Sequence, residues 1–289
     1  MLSIKQSKSK PKVAFLGPQG SYSHLAAQKC FKNRPINLLP VQEVERVFKK
    51  VSSKIAKFGI VPVENTAAGS IEKVMDLFAR DRLKVKIAQE VFLKINFHFL
   101  GHEQKLSRIK KIFAHPMAQA QCSKWLKQKN FQDKIAHSKS NSHSCIEAKK
   151  NQTSGAISNR LSATLYGLKI LESNIENLKN NITRFFVLAQ QDQIKPTYRC
   201  KTSFLIVIKN QPGSLYNLIK AIAKRKINMT KIESRIMKKG GWDYYFFIDI
   251  QGHRKQPNVR EAIKEMRQNC EKLKILGSYP QGKAPWDED

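Results

Sequence analysis

The chain has 289 residues, 41% of them hydrophobic, enough for two or three domains with cores of their own. Lys and Arg number 53 against 22 Asp and Glu, a net charge of +31. The basic residues are dispersed through every segment and are not interleaved with aromatics, which argues against a nucleic-acid surface.

The start, MLSIKQSKSKPK, lacks the apolar stretch of a signal peptide, and residues 1–11 read as a disordered basic segment. No run approaches the roughly 18 apolar residues of a membrane span. Cys30, Cys122, Cys145, Cys200 and Cys270 lie far apart with no C-x-x-C pair, the pattern of reduced thiols in a cytoplasmic protein. His98 and His102 are four apart, but Gly101 between them argues against a helical metal site. Neither metal nor cofactor is expected.

From Lys12 onward a short apolar strand, a polar loop and an amphipathic helix recur. The order is KVAFLG–PQGSYS–HLAAQKCF, FGIVPV–ENTAAGS–IEKVMDLFA, KIFAH–PMAQA–QCSKWLKQ, KIAHS–KSNSH–SCIEAKK and GAIS–NRLSA–TLYGLKIL. This alternation predicts parallel α/β architecture, with ligands at the carboxyl ends of the strands where the polar loops gather. Each loop precedes a helix N-terminus, whose free N–H groups favour anions, so several together suit a small polycarboxylic acid. After the strand TRFFVLA, residues 191–200 read as a linker. Beyond it come TSFLIVI, GSLYNLIKAIAKR, MTKIESRIM, WDYYFFIDI, NVREAIKEMRQ and KLKILGSY, with a turn at Lys239-Gly240-Gly241. That is the βαββαβ order of a ferredoxin-like domain over residues 201–280, leaving 281–289 as a tail.

Four strings in this order, VAFLGPQGSYSHLAA, VPVENTAAGS, NITRFFVL and IESRIM, resemble the prephenate dehydratases, as do TLYGLKIL and LGSYP. The resemblance spans Lys12 to Pro280. It implies a two-lobed, periplasmic-binding-protein-like catalytic domain over residues 12–190 and a ferredoxin-like ACT regulatory domain. It implies the monofunctional form, since about 11 residues before the first strand are too few for a fused chorismate mutase. The implied reaction removes water and carbon dioxide from prephenate to give phenylpyruvate on the route to phenylalanine. Arogenate dehydratase and a non-catalytic amino-acid sensor are the alternatives.

Thr183 matches the family's essential threonine and is expected to donate to the departing hydroxyl, with orientation doing much of the job. Glu64 is expected to orient its neighbours or act as an acid, and Asn65 and Thr66 to present donors to a carboxylate. Gly69 permits close backbone approach. Arg184 suits a bidentate carboxylate clamp or a salt bridge to Glu64, and Phe185 an apolar wall or a core position. In the first loop Ser21 and Ser23 are expected donors, whereas His24, near a helix start, reads as structural. Ser142 is a further carboxylate donor, although His143 and Ser144 replace two alanines usual in the family. In the ACT domain the resemblance assigns phenylalanine to Gly213, Ser214, Leu215 and Tyr216, to Asn228 and Met229, and to Glu233, Ser234 and Arg235. Ile236 stands where the family has proline. Because that effector lies between two subunits, a homodimer or homotetramer is expected.

Overall fold

The computed structural model describes residues 10–102, 105–192, 196, 199–236 and 244–284. Residues 1–9, the Lys239-Gly240-Gly241 turn, half of the expected linker and the last five residues of the tail lie outside them.

The first lobe is a sheet in which Lys12–Leu16 pairs in parallel with Asn37–Val41 and Phe58–Asn65. Ile182–Ala189 then inserts antiparallel between Phe58–Asn65 and Lys86–Lys94. In the second lobe Lys111–Ala114 pairs in parallel with Ile135–His137 and Ser154–Ser158, and His98–Gly101 and Lys169–Glu172 add antiparallel strands. Both sheets are therefore mixed, not parallel as the alternation predicts. The chain crosses between lobes after Lys94 and returns before Ile182, and the first strand after each crossing pairs antiparallel within its sheet.

Two expected elements shift. PMAQA is a helix, Pro116–Gln121, with Pro116 in the first turn, where its missing N–H costs nothing. TLYGLKIL is not one helix: Arg160–Tyr166 ends at Gly167, whose φ of 70° makes a left-handed cap, and Lys169–Glu172 continues as a strand.

The third unit orders its strands Met229–Ile236, Tyr244–Gln251, Cys200–Val207 and Lys272–Pro280, all antiparallel, with helices Ser214–Ala223 and Pro257–Gln268. Its sheet is covered on both faces. Phe204, Ile206, Ile248 and Ile250 pack on its own helices, while Leu205, Tyr245, Phe247, Leu276 and Tyr279 share a core with Val47, Phe48, Phe78, Phe186 and Leu188 of the first lobe. The approach is close enough that a Cβ on Gly277 would lie 2.1 Å from the Ile87 carbonyl oxygen, so only glycine fits there.

Candidate active site

Thr183 opens the strand that re-enters the first lobe from the hinge, and its register partner is Asn65 at the end of Phe58–Asn65. The Asn65 side chain is fixed at both ends. Its Oδ1 accepts from the amides of Ala67 and Ala68, both at 2.9 Å, so its Nδ2 must point the other way. That nitrogen donates to Thr183 Oγ1 at 2.8 Å and to Asn181 Oδ1 at 2.6 Å. Asn181 in turn donates to Gln121 Oε1 of the second lobe at 2.8 Å. Thr66 closes the corner by accepting from the Ile182 amide at 2.9 Å. Thr183 thus accepts a hydrogen bond from Asn65, and its own hydroxyl proton has no acceptor among the described residues. Asn181 and Gln121 were not singled out in the sequence; Asn181 sits inside NITRFFVL, and Gln121 carries no local signal.

The first lobe's other loop, at Gln19-Gly20, meets helix N-termini of the second lobe. Ser140 caps Asn141–Lys149 through the His143 amide, and Asn159 caps Arg160–Tyr166 through the Ser162 amide. The first lobe's loop docks directly on these two ends: Gly20 O accepts from Asn159 Nδ2 at 2.7 Å and Ser162 Oγ at 3.0 Å, and Gln19 O accepts from Tyr166 Oη at 2.9 Å. Gly20 has φ +84°, and a Cβ there would lie 2.7 Å from Ser162 Oγ and 3.1 Å from Ser142 Oγ. Asn159 and Ser162 are further residues that the sequence reading passed over, although an Asn before a helix is a capping signal.

Several expected roles fit these positions and others are corrected. Ser142 is buried at this junction, and Ser23 is buried with no side-chain partner among the described residues. Gly69 has φ +75° with open space on its Cβ side. Ser21 is instead an N-cap: its hydroxyl donates to Leu16 O at 2.8 Å and accepts from the His24 amide, so its proton is taken. His24 accepts from the Gly20 amide at 3.0 Å and stacks on Phe15, and burial lowers its pKa. Phe185 is core, packed with Phe15, Phe58 and Ile60. Ser144, one departure from the family pattern, bonds Ser138 at 2.5 Å, and His143 pairs with Glu147.

Arg184 is not a substrate clamp. Alternation turns it away from Thr183 onto the opposite face of the sheet. There it meets Glu90 at 2.6 Å, Asp249 at 2.7 Å, Glu64 at 3.2 Å and Tyr279 Oη at 3.2 Å. Burial alone would push its pKa down, but the charges around it drive it further up. Glu64 is ion-paired on the same face, to Arg184 and to Lys231. Burial raises its carboxyl, yet Arg184 and Lys231 outweigh this and hold it below the ordinary carboxylate value.

In the ACT unit, Gly213 sits at φ +81° before the helix start at Ser214, and Leu215 is partly buried against the core. Asn228 is exposed and Met229 partly buried. The two groups lie at opposite ends of one sheet. Register places Met229 level with Thr202, both opposite Ile250, whereas the chain leaves for Gly213 at Val207, about 17 Å away at roughly 3.4 Å per residue. Glu233 touches the first lobe: it accepts from Ser70 Oγ at 2.5 Å and pairs with Lys231 at 3.1 Å, while Ser234 faces the other way and is exposed.

Comparison with known proteins accords with this architecture. A family model for prephenate dehydratase matches residues 13–193 and one for the ACT domain matches residues 202–268. A bifunctional chorismate mutase/prephenate dehydratase of Aquifex aeolicus is 38% identical, covering 94% of this chain and 74% of that one. A prephenate dehydratase of Methanocaldococcus jannaschii is 32% identical over 93% and 97% of the two chains. A chloroplastic arogenate dehydratase/prephenate dehydratase of Arabidopsis thaliana is 32% identical over 94% and 72%. Among solved structures, a protein described as a novel type of quorum quenching acylase superposes with TM-score 0.85 at 26% identity, over 95% and 99% of the chains. The prephenate dehydratase of Arthrobacter aurescens in complex with L-Phe superposes with TM-score 0.83 at 26% identity, over 93% and 90%. The chain belongs to the prephenate dehydratase family of hydro-lyases, with an ACT domain at its C-terminal end.

Proposed function

We propose that prephenate is bound between the lobes and converted to phenylpyruvate beside Thr183. The observation that carries this is the Asn65–Thr183 hydrogen bond, which fills a lone pair of the hydroxyl and leaves its proton for the substrate. As the ring carboxylate departs as carbon dioxide, the electrons of the broken C–C bond enter the ring. They expel the ring hydroxyl, which takes a proton and leaves as water. Aromatisation supplies the drive, so the protein's part is to hold a dianion and to donate to the departing oxygen. Thr183 is a weak acid, and its efficacy comes from being fixed by Asn65, which Asn181 and the Ala67 and Ala68 amides lock in turn. Ser142 and Ser23, with the capped helix ends of the second lobe, are the carboxylate donors of this reading, whereas the Thr66 hydroxyl donates to Asn180 O at 3.3 Å.

The acylase neighbour suggests hydrolysis, but this cleft does not favour it. His24 is turned into the fold, and burial pushes the Cys145 thiol up to about 11, far from a thiolate. The Arabidopsis relative favours arogenate as a second substrate, differing by an amine in place of the keto group.

Phenylalanine is the proposed effector and a homodimer the proposed assembly. The separation of Gly213–Leu215 from Asn228–Met229 within one chain supports this, because a twofold mate brings one group opposite the other. The exposed edge strand Met229–Ile236, with Ile232 and Ile236, offers the surface. Five free cysteines fit the reducing cytoplasm.

The test is turnover of prephenate and of arogenate, with and without phenylalanine, beside Thr183→Ala. Prephenate turnover that the substitution lowers by about 10²-fold or more supports the assignment. A folded wild type that turns over neither acid discards it.

A further inference from the structure

The residues next to the Thr183–Asn65 pair in sequence are both anchored in the ACT sheet. Arg184 follows Thr183 and Glu64 precedes Asn65, and the two are register partners on adjacent strands. Alternation sends both side chains through the sheet to the face that the ACT unit covers. Arg184 meets Asp249 of strand Tyr244–Gln251 at 2.7 Å and Tyr279 of strand Lys272–Pro280 at 3.2 Å. Glu64 meets Lys231 of strand Met229–Ile236. Lys231 also donates to Ser70 Oγ at 3.1 Å, and Ser70 donates to Glu233. Ser70 is the register partner of Glu64 across the Asn65–Gly69 turn. Both arms of that turn, and the strand carrying Thr183, are therefore gripped from the ACT side.

We propose that Arg184, Glu64 and Ser70 are positioning residues through which the ACT sheet sets the orientation of Asn65 and Thr183, with Lys231 and Asp249 as the handles on the ACT side. The inference rests on the reading of Thr183 as the donor. Adhesion between the units does not account for the network, because the apolar face of Leu205, Tyr245, Phe247 and Leu276 already supplies adhesion. Buried charges add little stability over apolar packing, whereas hydrogen-bonded pairs fix direction and break when displaced. The same junction also carries a docking contact away from the turn: Asp76 accepts from Arg235 at 3.1 Å and from Tyr245 Oη at 2.8 Å. It serves as the internal control. A directional link of this kind lets an ACT sheet with two positions bias the catalytic hydroxyl, which is what coupling between the effector and the cleft requires.

The experiment uses the full chain with Lys231→Met, Lys231→Arg and Asp76→Asn, measuring kcat and KM for prephenate, the response to phenylalanine, and hydrogen exchange along Ile182–Ala189. Lys231→Met is expected to lower kcat about tenfold or more with KM within about twofold, while Asp76→Asn stays within about twofold on both. Lys231→Arg is expected to recover kcat to within about threefold of wild type. In Lys231→Met phenylalanine should still bind by calorimetry but no longer change the rate, and amides at Ile182–Arg184 should exchange faster than in Asp76→Asn. Equal effects of Lys231→Met and Asp76→Asn, or no effect of either in an active enzyme, overturn the proposal. Should the wild type lack prephenate turnover, the reading of the cleft fails separately and the exchange comparison alone decides. If Lys231→Met does not fold, Ser70→Ala removes only the neutral leg; a loss of about threefold in kcat is expected and none overturns.

Discussion

The two faces of strand Ile182–Ala189 solve opposite problems with adjacent residues. On the cleft face Thr183 has one neutral donor and a free proton. On the far face Arg184 touches three carboxylates and a phenol and has nothing left for a ligand. In a chain carrying +31 net charge, carboxylates are scarce, and four of them (Glu64, Glu90, Asp249 and Glu233) are committed to this one network. Saturated charge marks where the chain is held. An incompletely satisfied neutral group, itself fixed by others, marks where it acts.

The contrast breaks most sharply by exchanging stability for activity. Arg184→Met keeps the stem but leaves Asp249 buried without its cation, while Glu90 keeps Lys201 at 3.1 Å. The expected loss is about 3–5 kcal/mol of unfolding free energy, read from urea melts, the usual cost of orphaning a buried ion. Thr183→Ala should do the reverse. It should lower kcat about 10²–10³-fold, equivalent to about 2.7–4 kcal/mol in the transition state, while changing unfolding free energy by less than about 1 kcal/mol. Thr183→Ser, retaining the hydroxyl, should recover most of the rate. If Thr183→Ala destabilised the fold as much as Arg184→Met, the division between the faces would collapse.

Gly20 sharpens the comparison from the other side of the cleft. Its carbonyl is the knot between the lobes, and a methyl there would meet Ser162 Oγ at 2.7 Å while the backbone holds φ at +84°. Gly20→Ala should raise KM for prephenate about tenfold, with a smaller fall in kcat, because the loop must lift from the helix ends proposed to receive the carboxylates. An unchanged KM would place substrate elsewhere.

Much of this is legible in the sequence where the information is local. The elements of the ACT unit follow from periodicity and turn residues, and Thr183 is singled out by its motif. What escapes is pairing over long separations. Nothing near Ile182 says that its strand inserts between Phe58–Asn65 and Lys86–Lys94, so a parallel sheet is the natural expectation and a mixed one the outcome. Arg184 shows the same limit. Alternation alone places it opposite Thr183, but which face holds substrate and which holds Asp249, 65 residues on, is a tertiary fact. Glu233 shows the same limit, since its partner Ser70 is 163 residues away.

The smallest expected effect is a pH dependence that isolates one member of the far face. Arg184 and Lys231 depress the Glu64 carboxyl below its ordinary value of 4.5, against the upward push of burial. A depressed folded-state pKa means that the unfolded chain binds the proton more readily. The stabilisation is therefore complete above the ordinary value and is lost as pH falls through the folded one. Wild-type melting temperature should thus decline on the acid side of about pH 4.5, more steeply than in Glu64→Gln, which has no carboxylate to protonate there. The substitution should cost stability at neutral pH, and the two curves should converge as acid removes the wild-type charge. Parallel curves down to about pH 3 would mean that Glu64 gains nothing from its cations. The Thr183 face should leave no such trace, because a hydroxyl and an amide do not titrate in this range, and Thr183→Ala should follow the wild-type acid limb throughout.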